Sequence, residues 1–243
     1  MLLGEWSPDH KMQFQTLGNH SSSVCSLQFS PDAERLYSGT YASASRPAEL
    51  ISWRAAKTDN GLKRFQEEHR ISIPASIAAL DVIEAEGSGC RLLAIGGKDG
   101  VIRLRNADDL DHDWRSVVLK GSISILACSS DKHLLAAGTS LGQIVVFRID
   151  DQGITEISDN SGNLAANIAA LRFHPQRPEL HAGFQTQNSL KVTAWDTNCW
   201  QEVGPPKILV GDLIGPSFFL AADRSTIAVI PRTAPFVLFY SLP

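Results

Sequence analysis

The sequence predicts an all-β protein built from repeated antiparallel sheets, and three observations support this prediction. A degenerate repeat of roughly 47 residues recurs five times, and a period of this size is typical of repeated supersecondary structure. Short apolar runs, rich in β-branched residues, are separated by Gly, Pro and Ser at strand-length spacing. Helical periodicity is poor along the chain, so a helical repeat is not expected.

The first copy shows the order of the strands. Its first strand is expected at Val24–Phe29 and is followed by the turn Ser30-Pro-Asp32. A second strand of small residues runs from Arg35 to Gly39, and a third strand ends at Trp53. The third strand of each other copy ends at an aromatic residue or its substitute, so these positions align the copies: Trp6, Trp53, Arg105, Phe147, Trp195 and Tyr240.

The same order of strands is expected in the other copies. The first strands are predicted at residues 77–82, 123–128, 168–173 and 217–220, and the second strands at 93–97, 134–138 and 227–230. A fourth strand, more polar than the others, is predicted at 12–17, 62–65, 114–118, 154–157 and 207–210. Polarity that increases across four strands indicates a sheet with a buried inner edge and an exposed outer edge.

These repeats resemble WD repeats, the four-stranded blades of β-propellers. The resemblance is carried by Gly18-Asn-His20, Ser30-Pro-Asp32, Ser38-Gly39 and Trp53 in the first copy, and by the intact dipeptide Trp195-Asp196. It implies an all-β β-propeller of four-stranded antiparallel blades, with about five blades in this chain. One domain is expected over residues 1–243, with repeats at approximately 12–54, 62–106, 114–148, 154–196 and 207–241.

The resemblance leaves two arrangements of the blades open. In a small closed propeller, residues 12–17 would complete the last sheet by pairing with residues 236–241. Alternatively, the chain is the C-terminal part of a larger propeller, since Leu3-Gly-Glu-Trp6 resembles the end of a preceding blade.

The resemblance also implies a structural hydrogen-bond relay in the first copy. His20, Ser38 and Trp53 stand where the family has three members of this relay. The fourth member, an Asp, is missing from residues 40–47, whereas the second copy has Asp99 but lacks the Trp. We therefore expect the relay to be incomplete and apolar packing between blades to carry more of the stability.

Composition and motifs exclude several classes of function. The chain of 243 residues has a net charge of −4, and it offers no basic stripe for nucleic acid. It has no apolar run of about 18 residues that could span a membrane. Four cysteines occur singly (Cys25, Cys90, Cys128 and Cys199), which indicates a reduced setting in the cytoplasm or nucleus.

No catalytic residue, metal site or cofactor is expected. The sequence lacks a Walker loop, a GxSxG elbow and an HExxH motif. The acidic run at residues 108–113 lacks the Gly and the terminal Glu of a Ca²⁺ loop, so it indicates a solvated turn with nearby arginines. His174 and His181 are interpreted as loop residues.

The resemblance implies a non-catalytic scaffold that binds peptides or domains of other proteins through turns on one face, as one component of a multi-subunit complex. The turns between second and third strands supply the candidate partner-binding residues: Tyr41, Arg46, Lys98, Gln187 and Arg232. The alternative is a regulatory, sensor or substrate-recognition segment of a larger signalling ATPase or ubiquitin-ligase adaptor.

The alignment of the copies predicts how two equivalent positions differ in stability. Because Trp53 should be buried between sheets, Trp53→Ala should lower the free energy of unfolding by about 3–5 kcal/mol. Arg105→Ala, at the equivalent position, should lower it much less. Urea unfolding of both variants measures the difference, and equal losses would show that the alignment is out of register.

Overall fold

The computed structural model describes residues 2–6, 12–57, 63–87, 90–129, 131, 133–160, 167–174, 176–185, 189–210, 217–220, 226–230 and 238–241. All regular secondary structure in these residues is β-strand, arranged as a hairpin and five antiparallel sheets. The contacts divide the chain into two compact units. Unit 1 comprises Met1–Val82 and Cys90–Val118, and unit 2 comprises Ile83–Gly89 and Leu119–Pro243.

Unit 1 contains the hairpin and two four-stranded sheets, apart from the last residues of β7. The hairpin consists of β1 (Leu2–Trp6) and β2 (Met12–Thr16). Sheet 1 consists of β3 (Val24–Phe29), β4 (Arg35–Thr40), β5 (Ala48–Lys57) and β6 (Lys63–Ile73). Sheet 2 consists of β7 (Ile77–Glu84), β8 (Arg91–Gly97), β9 (Val101–Asn106) and β10 (Asp113–Val118).

Unit 2 contains two further four-stranded sheets and a sheet with three described strands. Sheet 3 consists of β11 (Ile123–Cys128), β12 (Leu134–Thr139), β13 (Ile144–Asp150) and β14 (Gly153–Asn160). Sheet 4 consists of β15 (Asn167–Phe173), β16 (Glu179–Gln185), β17 (Ser189–Asp196) and β18 (Lys207–Val210). Sheet 5 consists of β19 (Ser217–Leu220), β20 (Thr226–Ile230) and β21 (Leu238–Ser241).

The aromatic positions that align the repeats occupy equivalent places in the five sheets. Each one pairs with an aliphatic residue of the second strand: Leu36 with Trp53, Leu93 with Arg105, Leu135 with Phe147, Leu180 with Trp195, and Ile227 with Tyr240. The fold therefore repeats one register from sheet to sheet, although Arg105 replaces the aromatic residue in sheet 2.

Strand β2 pairs with β1, in a register that places Trp6 opposite Met12. The pairing of residues 12–17 with residues 236–241 remains a prediction, since residues 236 and 237 lie outside the described part of the chain. The described end of the chain, Leu238–Ser241, pairs with β20. A hairpin between β1 and β2 closes a short loop, and its entropic cost is lower than that of joining two distant segments.

The fourth strand of sheet 1 is longer than the sequence predicts. Residues 62–65 were expected to form it, whereas β6 extends to Ile73 and pairs with β5 back to Ala48. Apolar runs did not predict this part of β6, because residues from Glu67 to Arg70 are charged or polar. An outer strand tolerates such residues because solvent reaches it.

Apolar packing between sheets 1 and 2 forms a core of unit 1. Its buried side chains include Tyr37, Leu50, Ile77, Leu93 and Ile95. A Cβ placed on Gly39 would lie only 2.6 Å from Ile77 Cγ2, so β4 approaches β7 at a point where a larger residue does not fit. The Tyr37 hydroxyl donates to the Ala107 carbonyl at 2.8 Å, and burial raises the pKa of Tyr37 to about 12.

The core of unit 2 repeats this arrangement. A cluster of buried residues includes Val146, Ile168, Phe184 and Trp195, and the last two rings meet edge to face. A Cβ on Gly138 would lie 3.1 Å from Ile168 Cγ2, as well as 2.7 Å from Ile125 Cγ2. A glycine of the second strand thus packs beneath an isoleucine of the next sheet in both units.

The tight approach at Gly39 predicts that a single methyl group will be destabilising. Gly39→Ala should lower the free energy of unfolding by about 1–3 kcal/mol, because Ile77 is fully buried and must shift. Gly18→Ala is the matched control, since its Cβ would lie 3.4 Å from Trp53 Cη2, an ordinary contact. Urea unfolding should show a change below about 1 kcal/mol for the control. A loss at Gly39 no greater than that at Gly18 would contradict the packing.

Candidate functional site

Two of the predicted partner-binding residues lie together in unit 1. Tyr41 follows β4 and Lys98 follows β8, and the Lys98 ammonium lies 4.9 Å from the centre of the Tyr41 ring. Both turns are held by Ser76. Its hydroxyl accepts from the Ala42 N–H at 2.9 Å, and its carbonyl accepts from the Lys98 N–H at 2.9 Å. The pair is therefore fixed by backbone contacts as well as by the cation–π contact.

Arg46 lies in the same turn as Tyr41. Ser43 and Arg46 form an isolated antiparallel bridge, in which the Ser43 N–H donates to the Arg46 carbonyl at 2.8 Å. The side chains of Tyr41, Arg46 and Lys98 are all exposed, with 43% of Tyr41 accessible to solvent. We call these three residues the turn patch.

The other candidate residues give a different outcome. Gln187 and Arg232 lie outside the described residues, so their positions remain predictions. Sequence reasoning missed Leu141, which lies in the turn between β12 and β13 of unit 2 and is 61% exposed. The sequence could have indicated this exposed side chain, because Leu141 is a large apolar residue between Ser140 and Gly142 in a predicted turn.

The predicted relay residues of sheet 1 lie within hydrogen-bond distance of one another. The Trp53 indole N–H donates to Ser38 Oγ at 2.7 Å, and Ser38 Oγ lies 2.9 Å from His20 Nε2. Trp53 and Ser38 are buried. The Trp53 indole and the His20 ring thus contact the same hydroxyl, and the buried His20 Nδ1 has no hydrogen-bond partner among the described residues. The role of these three residues as a structural relay remains a proposal.

A carboxylate lies beside the relay, at a position that the sequence reading did not consider. Glu49 Oε2 lies 3.6 Å from His20 Nδ1 and accepts from the Ser21 N–H at 2.8 Å. Arg70 pairs with the other carboxylate oxygen of Glu49 at 3.1 Å. The resemblance places an Asp in residues 40–47, whereas this carboxylate comes from a Glu near the start of β5.

The pKa values of both His20 and Glu49 are lowered, for different reasons. Desolvation lowers the pKa of His20 below its usual value of about 6.5, and the Glu49 carboxylate opposes this shift only in part. The pKa of Glu49 is also lowered: its own burial would raise it, but the Ser21 and Arg70 hydrogen bonds outweigh that effect. His20 is therefore neutral in the folded protein near neutral pH.

The acidic run forms ion pairs in unit 1. Asp108 pairs with Arg35 and Arg91, and Asp113 pairs with Arg105 at 2.7 Å. His69, Asp109 and Asp111 each place one potential ligand atom within 4.8 Å of the others. Asp109 already accepts from the Asp111 N–H and contacts His112 at 2.6 Å, so the turn stabilises itself with its own polar groups.

His174 follows β15 in a loop, as predicted, whereas the prediction of a loop is wrong for His181, which lies on β16. Arg177 donates to His174 at 2.7 Å, and His181 lies 2.8 Å from a Glu179 carboxylate oxygen. All four cysteines are described, and none of them forms a disulfide. Within the described residues, no helix is long and apolar enough to cross a membrane.

Comparisons with known proteins identify the repeat and the fold. A family model described as "WD domain, G-beta repeat" matches residues 11–44. Among solved structures, the β-propeller domain of Cps50 (Swd1) from Myceliophteria thermophila matches with a TM-score of 0.65 and 14% sequence identity. The match covers 93% of this chain and 67% of that chain. At this identity the likeness shows the fold alone, which is that of a β-propeller. The comparison with curated proteins found no match.

The lowered pKa of His20 predicts a pH dependence of stability. The unfolded chain binds a proton at His20 below pH of about 6.5, whereas the folded chain resists it, so stability should fall as pH decreases from 6.5. The contribution of one group is at most about 1.4 kcal/mol per pH unit. Urea unfolding between pH 7 and 5 should show this slope, and His20→Gln should remove it.

His112→Gln is the control for this measurement, because the His112 side chain is 77% exposed. Wild type and the control should share the same slope between pH 7 and 5. The lowered pKa of Glu49 places its own contribution below pH of about 4.5, outside this window. An unchanged slope in His20→Gln would contradict the assignment.

Proposed function

We propose that this chain, a WD-repeat protein with the β-propeller fold, is a non-catalytic scaffold that binds peptides or domains of other proteins through the turn patch. Propellers of this family generally serve as protein-interaction scaffolds and are generally non-catalytic. The fold alone does not select a partner, so the proposal depends on the surface that the turns present.

The contact of Lys98 with Tyr41 is the observation that carries the proposal. An exposed tyrosine ring with an ammonium held 4.9 Å from its centre offers an aromatic surface in a fixed orientation. Tyrosine and arginine are the residue types most often found as interface anchors, and Arg46 lies in the same turn as Tyr41.

Rigidity supports the same role. The Tyr41 N–H donates to the Ser23 carbonyl at 3.2 Å, and the turns that carry Tyr41 and Lys98 share the contacts with Ser76. Loops that are already ordered lose little conformational entropy when a partner binds, and this favours affinity. Turns on a rigid β scaffold are a common way of presenting binding residues.

The buried titratable groups of unit 1 support the non-catalytic part of the proposal. His20 and Tyr37 are committed to structural hydrogen bonds, with Ser38 and with the Ala107 carbonyl respectively. A buried group with such a partner stabilises the fold, and it is not presented to a substrate. We extend the proposal to a component of a multi-subunit complex in the cytoplasm or nucleus, where four cysteines outside any disulfide would stay reduced. The alternative role, as a sensor or recognition segment of a larger signalling ATPase or ubiquitin-ligase adaptor, remains a hypothesis.

A double variant tests the turn patch. Tyr41→Ala combined with Arg46→Ala should keep the thermal unfolding midpoint of wild type, because both side chains are exposed. Partners recovered with tagged wild-type protein from cell extract should bind this variant at least about 30-fold more weakly, as expected when an interface anchor is truncated. Affinity is measured by biolayer interferometry with the purified partner.

The matched control removes two exposed side chains of unit 2. The exposed fraction of Val203 is 44%, similar to the 43% of Tyr41. Arg172 is exposed on β15. Val203→Ala combined with Arg172→Ala should bind the partner as wild type does. Binding that is unchanged in the folded Tyr41/Arg46 variant would refute the assignment of the site to the turn patch.

A further inference from the structure

A groove of about 670 Å³ in unit 1 has an unusual lining of arginine and tryptophan. It lies between the end of β6 and strands β9 and β10. Its polar and aromatic lining includes Ser72, Arg103, Arg105, Asp113, Trp114 and Arg115. Three guanidinium groups face one carboxylate there, in a protein whose overall charge is −4.

The strand register brings the arginines together. Arg103 and Arg105 are two residues apart on β9, so both side chains lie on one face of sheet 2. Asp113 lies opposite Arg105 on β10, and the register shifts between Asp113 and Arg115. A β-bulge of this kind redirects side chains locally, and it accompanies the placement of Trp114 and Arg115 at the groove.

At this groove, Arg105 replaces the aromatic residue found at the equivalent position of the other sheets. It occupies the position that holds Trp53 in sheet 1, yet its side chain is only 14% exposed. Its buried Nε has no hydrogen-bond partner among the described residues. An unsatisfied buried donor is costly, and positions that break a local rule at a cost are often functional.

The partners that Arg105 does have are two oxygen acceptors, one on buried Leu110 and one on exposed Asp113. Its guanidinium contacts the Leu110 carbonyl and lies 2.7 Å from Asp113, whose side chain is 74% exposed. Arg105 is only 14% exposed, but Asp113 lies at the surface, so another carboxylate can take its place. The site therefore already binds one carboxylate in a position that solvent reaches.

Arg115 has a different environment. Its guanidinium lies 5.5 Å from the centre of the Trp114 ring and donates to the Trp114 carbonyl at 2.9 Å. Within the described residues no carboxylate lies within ion-pair distance of Arg115, whereas Arg103 pairs with Asp99 at 2.6 Å. Stacking on an aromatic ring holds an arginine in place while its donor edge stays available.

We propose that this groove is a docking site for an acidic segment of a partner protein, whose Asp or Glu side chains bind Arg105 and Arg115 beside Trp114. A planar guanidinium matches a carboxylate with two parallel hydrogen bonds, and this favours carboxylates over neutral side chains. The groove shares no lining residue with the turn patch, so it adds a second binding surface to the proposed scaffold.

A fluorescein-labelled peptide of eight glutamates is the probe, with binding followed by fluorescence anisotropy at fixed salt. We expect the glutamate peptide to bind and a lysine peptide of equal length not to bind. Arg115→Ala should weaken binding by about tenfold or more, since it removes the exposed cation that lacks a carboxylate partner. Arg105→Met keeps the buried stem, removes the guanidinium and should weaken binding similarly.

Control variants separate this proposal from general electrostatics and from the turn patch. Arg172→Ala removes an exposed arginine of unit 2 and should change affinity by less than about twofold. The Tyr41/Arg46 double variant should also retain binding of the glutamate peptide. Thermal unfolding verifies that each variant is folded, and Arg115→Ala carries the test alone if Arg105→Met does not fold.

Several results would overturn the proposal. They are the absence of glutamate-peptide binding to wild type, an undiminished affinity in folded Arg115→Ala, and an equal loss in Arg172→Ala or in the Tyr41/Arg46 variant. A peptide of the same length with phosphoserines that binds more than about tenfold tighter would also overturn it, because the groove would then select phosphorylated partners.

Discussion

The approach of two sheets at a glycine is the constraint on which the rest of each unit depends. In unit 1, Gly39 leaves space for Ile77, and in unit 2 Gly138 does the same for Ile168. A side chain at either glycine would separate the sheets, and the apolar cluster around it would lose contact area. Because the glycine comes near the end of a second strand, the turn that follows is fixed by the same contact. The rigidity of the turn patch is therefore a consequence of core packing.

Polar groups at the aromatic position show how much freedom that packing leaves. In sheet 1 the Trp53 indole is buried and donates to Ser38, although the next member of the polar chain, His20, leaves Nδ1 without a hydrogen-bond partner among the described residues. In sheet 2 the equivalent Arg105 keeps the same strand register but leaves Nε unsatisfied. The register survives this change because it depends on strand pairing and on the aliphatic partner Leu93. Sequence drift at one side chain of a repeat can therefore alter the chemistry of a surface without altering the fold.

The repeat made most of the fold predictable from the sequence, because every copy shows the same order of apolar strands and polar turns. Pairing between distant segments is not local, and this is why the sequence left two arrangements open for residues 12–17, of which β2 forms a hairpin with β1 in the described residues. The site was harder for the same reason. Glu49 contacts His20 from β5, so this carboxylate could not be predicted from the residues of the turn alone. The sequence predicted that Tyr41 and Lys98 lie in equivalent turns of two repeats. Their contact depends on how the two sheets pack, which the sequence did not predict.

The two proposed surfaces differ in the physics by which they would select a partner. In the turn patch, the Lys98 charge lies against Tyr41, so the surface offers a broad aromatic anchor with a nearby cation. Recognition there would depend mainly on shape and on buried apolar area. In the groove, Arg115 lies beside Trp114 with its guanidinium facing solvent, and Arg105 holds a carboxylate that can be exchanged. Recognition there would depend on charge and weaken as salt increases. One rigid scaffold could therefore bind two partners, or two segments of one partner, at surfaces that respond differently to ionic strength.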